Sequence, residues 1–132
     1  MTELRELAGE LFVHRLGALS QVPFQALQDL GQSSFWTLSV TPDEVSLVAP
    51  ALTLDGLAVP VGPWSGFRVA GQLDFGLTGV LHALTEPLAR AAISVFAIST
   101  YDTDCLLVRA ETRGAAIHAW RASQISVVET AR

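Results

Sequence analysis

Two segments sixty positions apart follow the same pattern, and this internal repeat constrains the fold more than any other feature of the chain. Residues 34–48 read SFWTLSVTPDEVSLV, and residues 94–108 read SVFAISTYDTDCLLV. Each segment is an apolar run, a short polar turn and a second apolar run, which is the pattern of a β-hairpin. Aligned without a gap, they are identical at Ser34/Ser94, Ser39/Ser99, Leu47/Leu107 and Val48/Val108, and Glu44/Asp104 keep an acid. The repeat predicts a duplicated strand–turn–strand element.

The residues around the second hairpin extend this pattern. Further elements are predicted by apolar spacing: a strand at Gly66–Ala70, a helix over Leu77–Ala91 that Pro87 bends or breaks, a helix over Glu111–Arg121 and a strand at Ile125–Val128. In the second helix, Ile117 and Trp120 are expected to face inward. The resulting order, β-α-β-β-α-β, is ferredoxin-like, with an antiparallel sheet and both helices on one face.

The first half repeats part of this order. A strand is predicted at Leu11–Leu16 and a short helix or turn at Val22–Leu30, ahead of the first hairpin. We therefore expect an α+β fold of two ferredoxin-like units in tandem, of which the first is incomplete. The expected units are residues 1–63 and 64–132. A connector rich in proline and glycine begins at about residue 50 and contains a strand near Leu57–Val61.

Composition excludes several classes of function. The 132 residues include 13 acidic side chains against 8 arginines and no lysine, so the net charge is −5. A Schiff-base enzyme and a Walker-type phosphate loop both need a lysine amine, so both are excluded. The excess of acidic residues argues against a nucleic-acid partner. The single Cys105 cannot form an intrachain disulfide, and no apolar stretch is long enough to cross a bilayer. We expect a cytoplasmic protein without a membrane partner.

The segment Leu73–Leu81 (LDFGLTGVL) and the hairpin Ile93–Val108 resemble the small bacterial ACT-domain proteins. The resemblance is to the branch related to the cytosolic arginine sensors, called CASTOR/ACT. Phe35–Ser39 and Asp43–Val48 are similar to the first-half motif of that branch, so the resemblance covers roughly Glu10–Val128. It implies a tandem pair of ACT units that bind a free amino acid and act as a non-catalytic regulatory or sensing module. Homodimers are common among such folds.

The amino acid is expected at the seam between the two units. A helix start offers backbone N–H groups to a carboxylate, and glycines there let a ligand approach closely. An ammonium group needs an acid, and the resemblance makes Asp104 the best candidate. The expected ligand-binding residues are Asp74, Phe75, Gly76, Leu77, Thr78 and Gly79 of the helix-entry loop, and Ser99, Thr100, Tyr101, Thr103 and Asp104 of the second hairpin.

Several of these residues also have a purely structural interpretation. Asp74 can simply cap the helix, which we favour, and the two glycines can serve only the backbone turn. Asp102 is an ordinary turn residue, and Tyr101 can pack at the surface with a hydrated hydroxyl. Asp104 begins an apolar strand, where an acid needs a partner, so a functional role is favoured at that position.

Leu77 bears on the choice of ligand. In the arginine-binding relatives an acid lies near this position of the helix-entry loop and suits a guanidinium group. Leucine cannot pair with a cation. The resemblance therefore implies a neutral or apolar amino acid rather than arginine.

Two other functions compete with amino-acid sensing. One is a structural or protein-interaction module with a vestigial pocket, and the other is a small enzyme that uses Cys105 or a histidine. Cys105 lies in an apolar strand beside Asp104, where burial and the carboxylate raise the pKa of a thiol. His14, His82 and His118 are too scattered for a zinc site. We expect no catalysis, no metal and no cofactor.

Overall fold

The computed structural model describes residues 2–31, 34–52, 60–71 and 78–130. Its strands are β1 (Glu3–Leu16), β2 (Thr37–Val40), β3 (Val45–Ala49), β4 (Val61–Val69), β5 (Val95–Ser99), β6 (Asp104–Arg109) and β7 (Ser126–Val128). Its helices are α1 (Phe24–Asp29), α2 (Val80–Arg90) and α3 (Arg113–Ala122), with 3₁₀ turns at Leu19–Gln21 and Ala110–Thr112. Two compact units are present: an inserted unit, Gly9–Pro63, and a split unit, Met1–Ala8 with Trp64–Arg132.

The inserted unit is built on three antiparallel strands in the order β2-β3-β1. In β1, Phe12–Leu16 lies opposite Val45–Ala49 of β3. Alternate side chains of a strand share a face, and here one face carries the apolar side chains that pack with Leu27 of α1. This core contains Leu16, Val22, Leu27, Val45, Leu47 and Ala49.

The split unit has the strand order β7-β1-β4-β6-β5, with β6 antiparallel to both of its neighbours. Helices α2 and α3 contribute Leu84, Leu88 and Trp120 to a core that also holds Phe67 and Leu106. The Trp120 ring lies edge-on to Phe67 at 4.9 Å between centroids, and its Nε1–H donates to the Leu84 carbonyl at 2.8 Å. The other side of the sheet, which we call the far face, carries Trp64, Arg68, Phe96, Ile98, Cys105 and Leu107.

From β4 to β7 the elements follow the predicted β-α-β-β-α-β order. The start of β1 also joins this sheet, since Ala70 donates its N–H to the Glu3 carbonyl at 2.9 Å and Glu3 pairs with Ser126 in parallel. Leu4 explains why, because its side chain is fully buried in the core of the split unit. The predicted boundary at residue 63 places residues 1–8 with the first unit, whereas residues 3–8 of β1 belong to the split unit.

A group of charged and polar side chains, the Glu6 cluster, holds the start of β1 against α3. Arg113 donates to both oxygens of Glu6 at 2.6 and 2.8 Å and to Glu129 at 3.0 Å. Thr130 donates its N–H to Glu6 Oε1 at 3.0 Å and its hydroxyl to the Glu6 carbonyl at 2.6 Å. The Glu6 side chain is only 3% exposed, so these donors replace the water that the carboxylate has lost.

Most predicted elements are present, but several have different ends. The first strand begins at Glu3 instead of Leu11, and the short helix of the first half is α1. Helix α2 runs through Pro87 to Arg90, so the proline does not end it. The expected strand near residues 57–61 falls largely outside the described residues, although Val61 begins β4.

Both predicted hairpins are present, but their turns are offset by one residue from the gap-free alignment. Thr41 donates its N–H to the Glu44 carbonyl, and Thr100 donates to Thr103, in each case at 2.9 Å. Thr41 therefore corresponds to Thr100, and Glu44 corresponds to Thr103. The acids Glu44 and Asp104 are consequently not equivalent in the structure, because Asp104 already belongs to strand β6.

Candidate functional site

The second hairpin turn is fastened to the end of β4. The Thr103 side chain is buried, and its hydroxyl donates to the Val69 carbonyl at 2.9 Å. The Thr100 hydroxyl donates to the Thr103 carbonyl at 3.0 Å, which holds the turn closed. Since β4 ends at Val69, the turn lies beside the end of this strand, from which the chain continues toward α2. Thr103 therefore has a structural role, since its hydroxyl holds the turn against β4.

Asp104 has a partner on the neighbouring strand. It lies opposite Ser99 in the β5–β6 register, and the Ser99 hydroxyl donates to Asp104 Oδ1 at 2.7 Å. This bond accounts for an acid at the start of an apolar strand. A carboxylate has two oxygens that accept about four hydrogen bonds in total, so Asp104 retains capacity for a ligand ammonium.

Gly79 immediately precedes helix α2 and has a left-handed backbone (φ +77°), which glycine adopts without strain. A Cβ at this position would meet no atom within 4 Å, so backbone conformation and not crowding explains the glycine. As a glycine, Gly79 has no side chain with which to cap the helix. The N–H groups in the first turn of a helix have no partner within the helix, and together with the helix dipole they favour an anion.

The remaining predicted ligand residues are only partly visible. Asp74, Phe75, Gly76 and Leu77 lie outside the described residues. Thr78 and Tyr101 are exposed, Tyr101 at 75%. Their roles, like those of Gly79 and Asp104 in binding, stay predictions.

Cys105 is a buried thiol on the far face. The pKa of this thiol is raised to about 11, mainly because the thiol is buried. The Arg68 charge acts to lower the pKa, and the Asp104 carboxylate acts to raise it. The predicted increase is confirmed, with burial as the largest cause. At neutral pH about one thiol in 10⁴ is then ionised, because each pKa unit is a factor of ten. This environment disfavours a cysteine nucleophile.

The three histidines differ in their surroundings. His82 and His118 are exposed on α2 and α3, whereas His14 of β1 is buried in the inserted unit. Its Nε2 has no hydrogen-bond partner, and burial lowers the pKa of the ring. Within the described residues no three His, Cys, Asp or Glu side chains are grouped to hold a metal ion. The sequence analysis groups His14 with two other scattered histidines and does not predict its burial. The available signal is its position between Phe12 and Leu16, because every second residue of a strand lies on the same face.

Two open grooves lie elsewhere in the split unit. One, of about 720 Å³, runs between the later turns of α2 and α3 and is lined by small residues together with Glu86, Arg90 and His118. The other, of about 280 Å³, lies beside β7 and includes Arg121 and Ile125. Neither groove is lined by the second hairpin turn or by Gly79. The candidate amino-acid site is therefore argued from the residues of the turn and the helix start, and not from either groove.

The split unit thus combines a five-stranded sheet, two helices packed on one of its faces and a hairpin turn bonded to the end of β4. Residues 61–121 match the family model of the ACT domain. The match runs from the first residue of β4 almost to the end of α3. The ACT resemblance predicted for this part of the chain is confirmed, and its closer assignment to the CASTOR/ACT branch stays a prediction.

The likeness to solved structures extends beyond residues 61–121. A protein from Agobacterium tumefaciens is 28% identical, with a TM-score of 0.82 over 99% of this chain and 95% of that one. A Vibrio cholerae protein of unknown function, described as a possible transport protein, is 22% identical with a TM-score of 0.68 over 92% and 89%. The ligand-free regulatory subunit of aspartate kinase from Thermus thermophilus is 13% identical with a TM-score of 0.61 over 89% and 95%. The last two show the fold alone.

Across residues 2–31, 34–52, 60–71 and 78–130, no helix is long and apolar enough to cross a bilayer.

Proposed function

We propose that this protein is a non-catalytic regulatory module that senses a free amino acid through its ACT segment. The observation that carries the proposal is the second hairpin turn, which Thr103 fastens to the end of β4 at the start of the loop that leads to Gly79. The match of residues 61–121 to the ACT domain and the likeness to a regulatory subunit support it. The inserted unit, with its β-α-β-β order, is proposed to be an incomplete ACT-like unit of the CASTOR/ACT branch.

The proposed site has complementary groups for an amino acid. The uncapped start of α2 suits the carboxylate, since its backbone N–H groups and the helix dipole both favour an anion. Asp104 suits the ammonium through the oxygen that Ser99 does not occupy. With Leu77 in the helix-entry loop, the proposed ligand is a neutral or apolar amino acid rather than arginine.

A thermal-shift screen against the twenty amino acids tests this function. A ligand at 100 times its Kd adds about 2.7 kcal/mol to the free energy of unfolding, which raises Tm by several degrees. Asp104→Asn should abolish the shift, because an amide keeps the Ser99 bond but loses the charge that an ammonium needs. Asp102→Asn, an equal charge change in the same turn, is the matched control and should keep the shift.

The sensing proposal fails if none of the twenty amino acids raises the Tm. If an amino acid does so equally well for Asp104→Asn, the module still senses it, but the ammonium site lies elsewhere.

The second candidate function is a structural or protein-interaction module. The observation that favours it is the edge strand β5 in the sheet of the split unit. Strand β5 pairs only with β6 among the described residues, and unpaired strand edges tend to be covered by another chain. The proposed partner is a second copy that forms a homodimer through β5.

Sizing by light scattering tests this partner. We expect a dimer for the natural chain, and a monomer for Ala97→Lys, which places a charge on an exposed position of β5. Ala115→Lys, on an exposed position of α3, should stay dimeric. A monomer for the natural chain at micromolar concentration contradicts the proposal.

A further inference from the structure

One arginine of the split unit differs from every other arginine that the structure describes. Arg68 has no hydrogen bond and no ion pair with any described residue. The others each have a carboxylate oxygen at 2.6–4.0 Å; they are Arg5, Arg15, Arg90, Arg109, Arg113 and Arg121. The chain has 13 acids for 8 arginines, so a shortage of acids does not explain the exception.

Arg68 lies on the far face, at the end of β4. It pairs with Cys105 of β6, which in turn pairs with Ile98 of β5, so one thiol and one alkyl side chain follow it across the sheet. Arg68 is half-buried and Cys105 is fully buried. A guanidinium in such surroundings is separated from part of its water without gaining an acid in exchange.

A second guanidinium shares this face. Leu4 of β1 and Val69 of β4 both belong to the core under the helices, so their neighbours Arg5 and Arg68 project to the opposite side of adjacent strands. Arg5 is exposed and pairs with Glu3 at 2.8 Å. Like charges on neighbouring strands are unfavourable, and the Glu3 carboxylate that pairs with Arg5 makes no ion pair with Arg68.

We propose that Arg68, assisted by Arg5, binds a small oxyanion on the far face of the split unit. The planar guanidinium fork matches two oxygens of one carboxylate or phosphate group, so the ligand is a small molecule that carries either group. This site is separate from the proposed amino-acid site, because Asp104 shares the opposite face with Leu106.

The first test measures the Tm in phosphate, succinate and chloride at equal ionic strength. Phosphate or succinate should raise the Tm more than chloride, and the anion that does so identifies which group is bound. Arg68→Gln should weaken the apparent affinity at least tenfold, and Arg68→Lys should weaken it less because the charge remains. Arg90→Gln, which removes an exposed arginine on α2, is the matched control and should change nothing.

A second readout needs no variant. In ¹⁵N spectra of the natural chain, the Nε–H resonance of Arg68 should shift on titration with the effective anion, with that of Arg90 unchanged. Equal stabilisation by all three anions, or equal losses for Arg68→Gln and Arg90→Gln, would mean general charge screening and overturn the proposal. Loss of an amino-acid response in Arg68→Gln would also overturn it, since Arg68 would then belong to the amino-acid site.

Discussion

The buried His14 makes the stability of the protein depend on pH. Burial lowers its pKa below the 6.5 of an unfolded chain, so the unfolded state binds more protons between these two values. The free energy of unfolding is unaffected by this group above pH 6.5 and falls as the pH drops toward the lowered pKa, by at most about 1.4 kcal/mol per pH unit. The side chains that face it from β2 and β3, Leu38, Val45 and Leu47, carry no charge to offset this.

Urea unfolding between pH 7.5 and pH 5 measures the effect. We expect His14→Leu to lose much of the pH dependence of the natural chain, because no ring remains to be protonated on unfolding. The exposed His118→Gln should keep that dependence. Parallel curves for the natural chain and His14→Leu would contradict the assignment.

Helical spacing predicts the inward direction of Ile117 and Trp120, and both side chains are buried. It does not predict the partner of Asp104, because the Ser99 bond depends on a register that the gap-free alignment of the repeat misplaces by one residue. The isolation of Arg68 is not predictable either, since it depends on which acids the fold brings near.

At the scale of elements, the apolar spacing predicts where the helices and hairpins lie. Their exact ends depend on backbone conformation at the flanking residues. Helix α2 starts at Val80 instead of Leu77, after a left-handed glycine that spacing alone does not reveal. Pro87 does not end the helix because it lies in its last turns, where only one backbone hydrogen bond is lost.

Two glycine substitutions test this interpretation. Gly79→Ala should reduce the free energy of unfolding by about 1–2 kcal/mol, because alanine is strained at φ +77°. Gly114→Ala, in the first turn of α3, should raise it by up to about 1 kcal/mol, since neither φ nor a close atom opposes a Cβ there. Denaturant unfolding measures both. Changes of the same sign would show that helix propensity, and not backbone conformation, governs position 79.

For the whole molecule, the order of elements was predictable and the division of the chain was not. The β-α-β-β-α-β order from β4 to β7 follows from local patterns. The pairing of β1 with β7 joins residues more than a hundred positions apart, so no local pattern reports it. The first residues of β1 read as an alternating strand only once Leu4 and Glu6 are seen to have partners near the other end of the sequence.

The stability of residues 61–121, which match the ACT-domain model, should therefore depend on the start of β1. Residues 61–132 produced alone lack Leu4 and the buried Glu6, so we expect a much lower Tm than for the full chain, or aggregation through exposed strand edges. In the full chain, Leu4→Ala should cost about 2–5 kcal/mol, as for other fully buried leucines. Leu81→Ala, at a 37% exposed position, should cost less than about 1 kcal/mol. Equal stability of residues 61–132 and the full chain would contradict this dependence.

The parallel pairing of Glu3–Arg5 with Ser126–Val128 also has a consequence for biosynthesis. On the ribosome, Glu3–Arg5 emerges long before β7 has been translated, so this part of β1 must wait for that partner strand. The later residues of β1 pair with β3, and β3 pairs with β2, so these strands have partners close by in sequence and can order early. Pairing of β1 with β7 is then a late event, which follows the synthesis of almost the entire chain.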